Sequence, residues 1–311
     1  MDYRTFGRTG LRVSVAGIGT GGASRLGLSY GATEEQAIAV MHRALELGIN
    51  YFDTAEGYQT EDVVGRALEG HRDEVVISSK IAPRLADGSL LDRVGLRRAL
   101  EVALQKLRTD VVDVYHLHRP STEDYEYCLH ELVPELEALR DEGKMRFIGI
   151  SESTSTDSTH EMLHRAVQDD CWDVVMTAFN LFNQSPRERI FPDTIKKDIA
   201  IEIMGAARGP FSRPEQLVEQ VARLVAAGEL EAGQVSPEDP LDFLVGADGV
   251  ESLADASYRL AAHEPGVHVV LTGTGSIAHL EENVTSLSAG PLPAAEHDRL
   301  VSIFGHLSLG R

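Results

Sequence analysis

Eight short runs of β-branched and apolar residues recur along this chain, each divided from the next by a longer segment of helical period. They are VSVAGIGT from Val13, Tyr51–Asp53, VVISSK ending at Lys80, VVDVYHLH ending at His118, MRFIGIS from Met145, DVVMTAFN ending at Asn180, IAIEIM ending at Met204, and HVVLTGT from His268. The intervening segments carry helix signals. Thr33 to Leu47 opens with the capping-box pattern TEEQ and stops at Gly48, Asp92 to Leu107 sets Leu96, Leu100, Ala103, Leu104 and Leu107 on one face, and Leu129, Leu132, Leu136 and Leu139 mark a third helix. Strands alternating with helices call for right-handed βαβ crossovers and a parallel sheet buried on both faces, which accounts for the near-continuous apolar character of the runs. Eight such units predict a closed (β/α)8 TIM barrel, one domain spanning residues 1–311.

Two segments lie outside this rhythm. YRTFGRTGLRVS, Tyr3 to Ser14, has a Gly-containing turn between strand-like pieces and reads as an N-terminal β-hairpin that plugs the barrel bottom. Arg208 to Glu251, after the seventh strand, is too long for a βα connection and holds an extra amphipathic helix, Pro214 to Ala227. It reads as an inserted loop over the barrel mouth, where substrate specificity is expected to reside.

Composition narrows the possible partners. Acidic residues number 49 against 29 basic, a formal charge of -20, which repels nucleic acid and anionic membranes and leaves a small molecule as the expected partner. No apolar run is long enough to span a bilayer and the opening MDYRTFGRTG lacks the order of a signal peptide, so the expected location is cytoplasmic. Cys128 and Cys171 are too few for a disulfide framework or a zinc motif and read as ordinary buried thiols.

In a barrel, chemistry is built just beyond the carboxyl ends of the strands. Asp53 ends the second run, Lys80 the third, His118 the fourth, and Tyr58 follows Asp53 on its loop. A phenol ionises near pH ~10, and a neighbouring ammonium makes it a usable proton donor closer to neutrality. Asp53 would hold Lys80 in place, and a neutral His118 would orient and polarise a carbonyl oxygen. Each of these residues alone reads more simply as a solvated or satisfied strand end; their agreement is what points to a site. No strong nucleophile is present, so the set implies proton transfer coupled to cofactor chemistry. Arg119, next after His118, reads as an exposed side chain, with attraction of an anionic or polyhydroxylated substrate as the alternative.

Competing motifs are weaker. GIGTGG, Gly17 to Gly22, fits the dinucleotide fingerprint G-x-G-x-x-G, but no helix begins inside it. His116 and His118 have the H-x-H spacing of barrel metal sites, without further ligands at the other strand ends. No G-x-S-x-G occurs.

The stretch GINYFDTAEGYQTEDVVG, Gly48 to Gly65, resembles the first signature of the aldo-keto reductases: a Gly before the strand, Asp53, Thr54 and Ala55, the Tyr five after the Asp, then Glu61 and Gly65. VVISSK resembles the strand carrying that family's Lys, and DVYHLHRP, Asp113 to Pro120, its His motif. The resemblance continues through GKMRFIGIS, Gly143 to Ser151, and VVLTGTGSIAHLEEN, Val269 to Asn283. It implies a barrel oxidoreductase that interconverts an aldehyde or ketone, sugar-like substrates included, with its alcohol. NADP(H) is the implied cofactor, NAD(H) the alternative. A catalytic tetrad of Asp53, Tyr58, Lys80 and His118 follows, with hydride passing from the nicotinamide to the carbonyl carbon while Tyr58 protonates the oxygen.

The resemblance also implies cofactor contacts. Gly19, Thr20 and Asp53 would lie at the nicotinamide end, and Ser151 and Glu152 at the carboxamide, Glu152 standing where Asn is usual and Met176 where Gln is. Phe179 would stack on the nicotinamide ring. Gly205, Arg208 and Gly209 would approach the pyrophosphate, and Gly273, Thr274, Gly275, Ser276, His279, Glu282 and Asn283 would surround the adenosine end. Gly275 and His279 occupy positions where many members place Lys or Arg against the 2′-phosphate of NADP. A different class of function also fits the resemblance: some relatives, such as the β subunits of voltage-gated potassium channels, are better known as partners, so a cofactor-binding regulatory protein is the alternative.

Overall fold

A hairpin comes first. Tyr3–Thr5 (β1) pairs antiparallel with Arg12–Ser14 (β2), in a computed structural model that describes residues 1–207, 211 and 214–307. Eight parallel strands then close in sequence order: Ala16–Gly19 (β3), Tyr51–Asp53 (β4), Val76–Ile81 (β5), Val112–His118 (β6), Met145–Ser151 (β7), Val174–Ala178 (β8), Ala200–Met204 (β9) and Val269–Thr272 (β10), with β10 pairing back onto β3. This is the (β/α)8 barrel that the alternation predicts. The first run divides where the sequence reading joined it: Val13 and Ser14 belong to the hairpin. The break is fixed by side-chain bonds, since the Ser14 hydroxyl donates to the Ala16 carbonyl (2.6 Å) and Asn50 Oδ1 accepts the Ser14 N–H (2.7 Å).

The helices form where their caps and apolar faces direct. Glu34–Glu46 starts with the capping box of Thr33 and Gln36, and the chain leaves it through Gly48 at φ 85°. Asp92 caps Arg93–Leu107 by accepting the Gly95 N–H (2.7 Å), and Leu96, Leu100, Ala103 and Leu107 are buried. The third helix runs from Tyr125 to Asp141 with a π-turn at Cys128–Leu132, which keeps Leu132, Leu136 and Leu139 on the core side. Burial pushes both cysteine thiols up to about 12, which leaves them protonated and unreactive.

Phe6, at the hairpin turn, is fully buried against Tyr51 (5.4 Å between ring centroids) and His268 (5.9 Å). It completes a cluster with Val13, Val76, Val114, Val174, Ala200 and Val269, the layer at the amino-terminal end of the strands. The hairpin therefore plugs the barrel bottom, and the opposite end stays open.

The helix Pro214–Ala227 is present in the insertion after β9. Its Leu217, Val221 and Leu224 are buried, Glu229 accepts a hydrogen bond from His306, and Arg299 lies over the Phe243 ring at 4.1 Å. The described part of the insertion is thus tied to the C-terminal segment, and it is the residues just before it, Gly205 to Ala207, that line the open cleft. Arg208 and Gly209 lie outside the described residues.

Replacing Phe6 by Ala empties the plug from a fully buried site, and a loss of about 3–5 kcal/mol is expected in urea unfolding. A loss below about 1 kcal/mol would show that the hairpin does not seal the core.

Candidate active site

Side chains two apart on a strand share a face, so Tyr51 and Asp53, Ser78 and Lys80, and Val114, His116 and His118 all point into the barrel. The last member of each series ends near the open rim. Asp53 is 2% exposed and Lys80 0%. The Lys80 ammonium donates to Asp53 Oδ1 and to the Thr54 carbonyl (2.8 Å), and Ser78 Oγ donates to Asp53 at 3.0 Å. Burial opposes the ammonium, but the charge of Asp53 and then of Tyr58 outweigh it and raise the Lys80 pKa above its ordinary value. Lys80 is therefore a cation sealed from water.

Tyr58 lies over this pair, its ring centroid 5.2 Å from Lys80 Nζ. Its hydroxyl is 3.5 Å from His118 Nε2, with the two rings edge to face at 5.5 Å. The four residues anticipated from the strand ends are thus brought together, and Asp53, Tyr58 and His118 line a cleft of about 190 Å³. Met176, Met204 and Leu271 give that cleft apolar walls, while Gly19, Gly21, Gly22, Gly205 and Gly273 leave backbone bare. Such an arrangement can hold a small carbonyl oxygen between a phenol and an imidazole, with a fixed positive charge behind the phenol.

Below this layer is a feature the sequence reading missed. Glu202, fully buried in β9, accepts a hydrogen bond from the Tyr51 hydroxyl and lies 3.3 Å from His116 Nε2. His116 fits only because residue 149 is glycine, whose Cβ would overlap the imidazole. The signal was available: Glu202 interrupts an otherwise apolar strand at an inward position. His116 therefore faces the barrel interior, and among the described residues no group of three or more His, Cys, Asp and Glu side chains is placed to hold a metal ion.

Several of the implied cofactor residues have their side chains engaged by other protein groups. Phe179 is fully buried against Phe191 (5.5 Å) under the Arg187 guanidinium (5.2 Å), so its faces are already covered; Met204, at the end of β9, lines the cleft instead. Thr20 is buried with its hydroxyl on Thr60 (2.8 Å). Glu152 is also buried: it bonds His160 Nδ1 (2.6 Å) and accepts from the Thr177 hydroxyl (2.7 Å) and the Ala178 N–H (2.8 Å), so its carboxylate is spent within the protein. Ser151 holds the Arg119 N–H through its Oγ (3.1 Å).

At the far end, Ser276 caps the helix Ile277–Ser288, and Asn283 Nδ2 donates to Thr272 Oγ1 (2.6 Å). Thr274 Oγ1 accepts the Ser276 N–H at 3.0 Å, and His279 is exposed. Gly275 packs directly on Gly27 of the loop after β3, leaving no room for a Cβ. Glu282 is separated from the first cleft and shares a second, of about 580 Å³, with Glu251, Asp255 and Glu281.

A family model described as "Aldo/keto reductase family" matches residues 17–304. The chain belongs to the aldo/keto reductase family. An uncharacterized oxidoreductase of Bacillus subtilis (strain 168), YqkF, is 27% identical over 321 residues, covering 97% of this chain and 96% of that protein. The holo form of the aldo-keto reductase AKR11C1 from Bacillus halodurans matches with a TM-score of 0.75 at 25% identity, over 99% of this chain and 98% of that one. An aldo-keto reductase from Klebsiella pneumoniae in complex with NADPH shares the fold, with a TM-score of 0.71 at 24% identity over 98% of this chain and 96% of that one. This aldo/keto reductase is thus an oxidoreductase by family, and among its described residues no helix is long and apolar enough to cross a membrane.

The buried His160–Glu152 pair generates a pH prediction. Burial disfavours the imidazolium, but the hydrogen bond and charge of Glu152 outweigh it and raise the His160 pKa above 6.5. A raised folded-state value gives stability that is complete below the unfolded value and is lost as pH rises through the folded one. The melting-temperature advantage of wild type over Glu152→Gln is therefore expected to shrink as pH rises above 6.5. An advantage that is constant or grows with pH would contradict the pairing.

Proposed function

We propose that this protein is an NADP(H)-dependent oxidoreductase that interconverts a small aldehyde or ketone with its alcohol, Tyr58 giving the proton in reduction and taking it in oxidation. The observation that carries the proposal is the sealed Lys80 ammonium behind the Tyr58 ring, held by Asp53. A cation there stabilises negative charge on the phenol oxygen when its proton leaves. His118, at the Tyr58 hydroxyl, orients the substrate oxygen toward the same proton.

The lining of the cleft suits the nicotinamide end of a dinucleotide. Met176, Met204 and Leu271 offer an apolar wall for a flat ring, and five glycines let backbone approach closely; at Gly21 a Cβ would already overlap the Tyr58 ring. Nicotinamide, when bound, supplies the hydride. The protein's part is to orient the carbonyl, hold the proton at the Tyr58 oxygen and exclude water from Lys80. The NADPH complex of the Klebsiella relative supports NADP(H) over NAD(H).

The test is NADPH oxidation with a reactive aromatic aldehyde, with cofactor binding measured on the same samples. Tyr58→Phe is expected to lower kcat by roughly 100- to 10,000-fold and to keep its NADPH affinity. Wild type that binds NADPH yet reduces no aldehyde would instead favour a regulatory, cofactor-sensing role.

A further inference from the structure

Arg119 sits at the rim beside His118, and among the described residues that line the cleft it carries the only ammonium or guanidinium group. Its backbone is left-handed, at φ 57°, a conformation that L side chains rarely adopt. Two bonds from its N–H hold it there, to the carbonyl oxygen and to Oγ of Ser151, both 3.1 Å, and the buried Pro120 follows. The kink at the end of β6 directs the chain so that Arg119 borders the cleft.

The guanidinium meets no carboxylate or other acceptor among the described residues. Several other arginines spend their charge on carboxylates within the protein. Arg84 is paired with Asp124, Arg97 with Glu135 and Glu142, and Arg187 with Glu264. Among the described residues Asp53 is the single acid lining the same cleft, and it is committed to Lys80.

We propose that Arg119 recognises a carboxylate on the substrate, so that the preferred carbonyl compounds are small oxo-acids. This rests on the carbonyl-reductase reading above and names its substrate class. The planar fork of a guanidinium matches a carboxylate in two parallel hydrogen bonds, and the cleft, about 190 Å³, suits a short molecule that reaches from Tyr58 and His118 to the rim. The rest of the lining is methionine, leucine, alanine and glycine with the hydroxyls of Tyr258 and Thr272, which bond one another, so none of it offers a carboxylate a second positive charge.

The experiment compares para-carboxybenzaldehyde with para-formylbenzamide, two substrates of equal size that differ in charge, under steady-state reduction by NADPH. Wild type is expected to show a KM for the carboxylate lower by roughly 10-fold or more. Arg119→Met brings the two KM values together, and Arg119→Lys restores part of the gap. Added salt raises the wild-type KM for the carboxylate alone, a readout that needs no variant. Equal KM values in wild type, or an equal rise for both substrates in Arg119→Met, overturns the proposal and leaves the carbonyl-reductase reading standing. Binding of NADPH without reduction of either aldehyde overturns both.

Discussion

A lysine ammonium with no path to water must be neutralised within hydrogen-bonding reach, and Lys80 imposes that condition on the whole upper layer of the barrel. Asp53 must stand on the next strand, the Thr54 carbonyl must turn inward, and Ser78 must donate to the same carboxylate oxygen as Lys80. Deleting one partner of a buried pair costs about 3–5 kcal/mol, because the other charge is left alone. A pair of this kind adds little net stability over apolar side chains of the same shape. Its use is the field it sets at the open end of the barrel, where Tyr58 lies 5.2 Å from the ammonium.

The same reasoning explains why the other end is closed so thoroughly. Water reaching the interior from below would screen Lys80 and hydrate Asp53. Phe6 and the valines of β5, β6, β8 and β10 form a dry floor, and the belt of Tyr51, Glu202 and His116 lies between that floor and the Asp53–Lys80 pair. Polar groups in the barrel thus form two clusters, Asp53 with Lys80 and Tyr51 with Glu202 and His116. Strand register brings them side by side, pairing Lys80 with His116 and Met176 with Glu202.

Much of this was legible in the sequence because it follows from period alone. Alternation of strands and helices gives the barrel, and the place of Asp53, Lys80 and His118 at strand ends gives their convergence. What was not legible depends on which way a side chain turns once packed. Phe179 could not be told from a ring lining the cleft until it was seen fully buried beside Phe191 and under Arg187. Glu152 could not be told from a ligand contact until His160, nine residues beyond the strand end, was seen to fold back onto it. The amphipathic helix Pro214–Ala227 signalled an insertion, but amphipathicity says that a face is buried and not against what, so the pattern did not show that Leu217, Val221 and Leu224 would be buried in a segment tied to the C-terminal end of the chain.

The central claim is that the charge of Lys80, and not simply the shape of the pocket, enables proton transfer at Tyr58. The double variant Asp53→Asn/Lys80→Met removes both charges together, so no lone ion is left to unfold the barrel. Single-turnover hydride transfer from bound NADPH to an aromatic aldehyde should fall by at least roughly 100-fold in this variant, while cofactor affinity is retained. Transfer at the wild-type rate in a folded, cofactor-bound double variant would contradict the account.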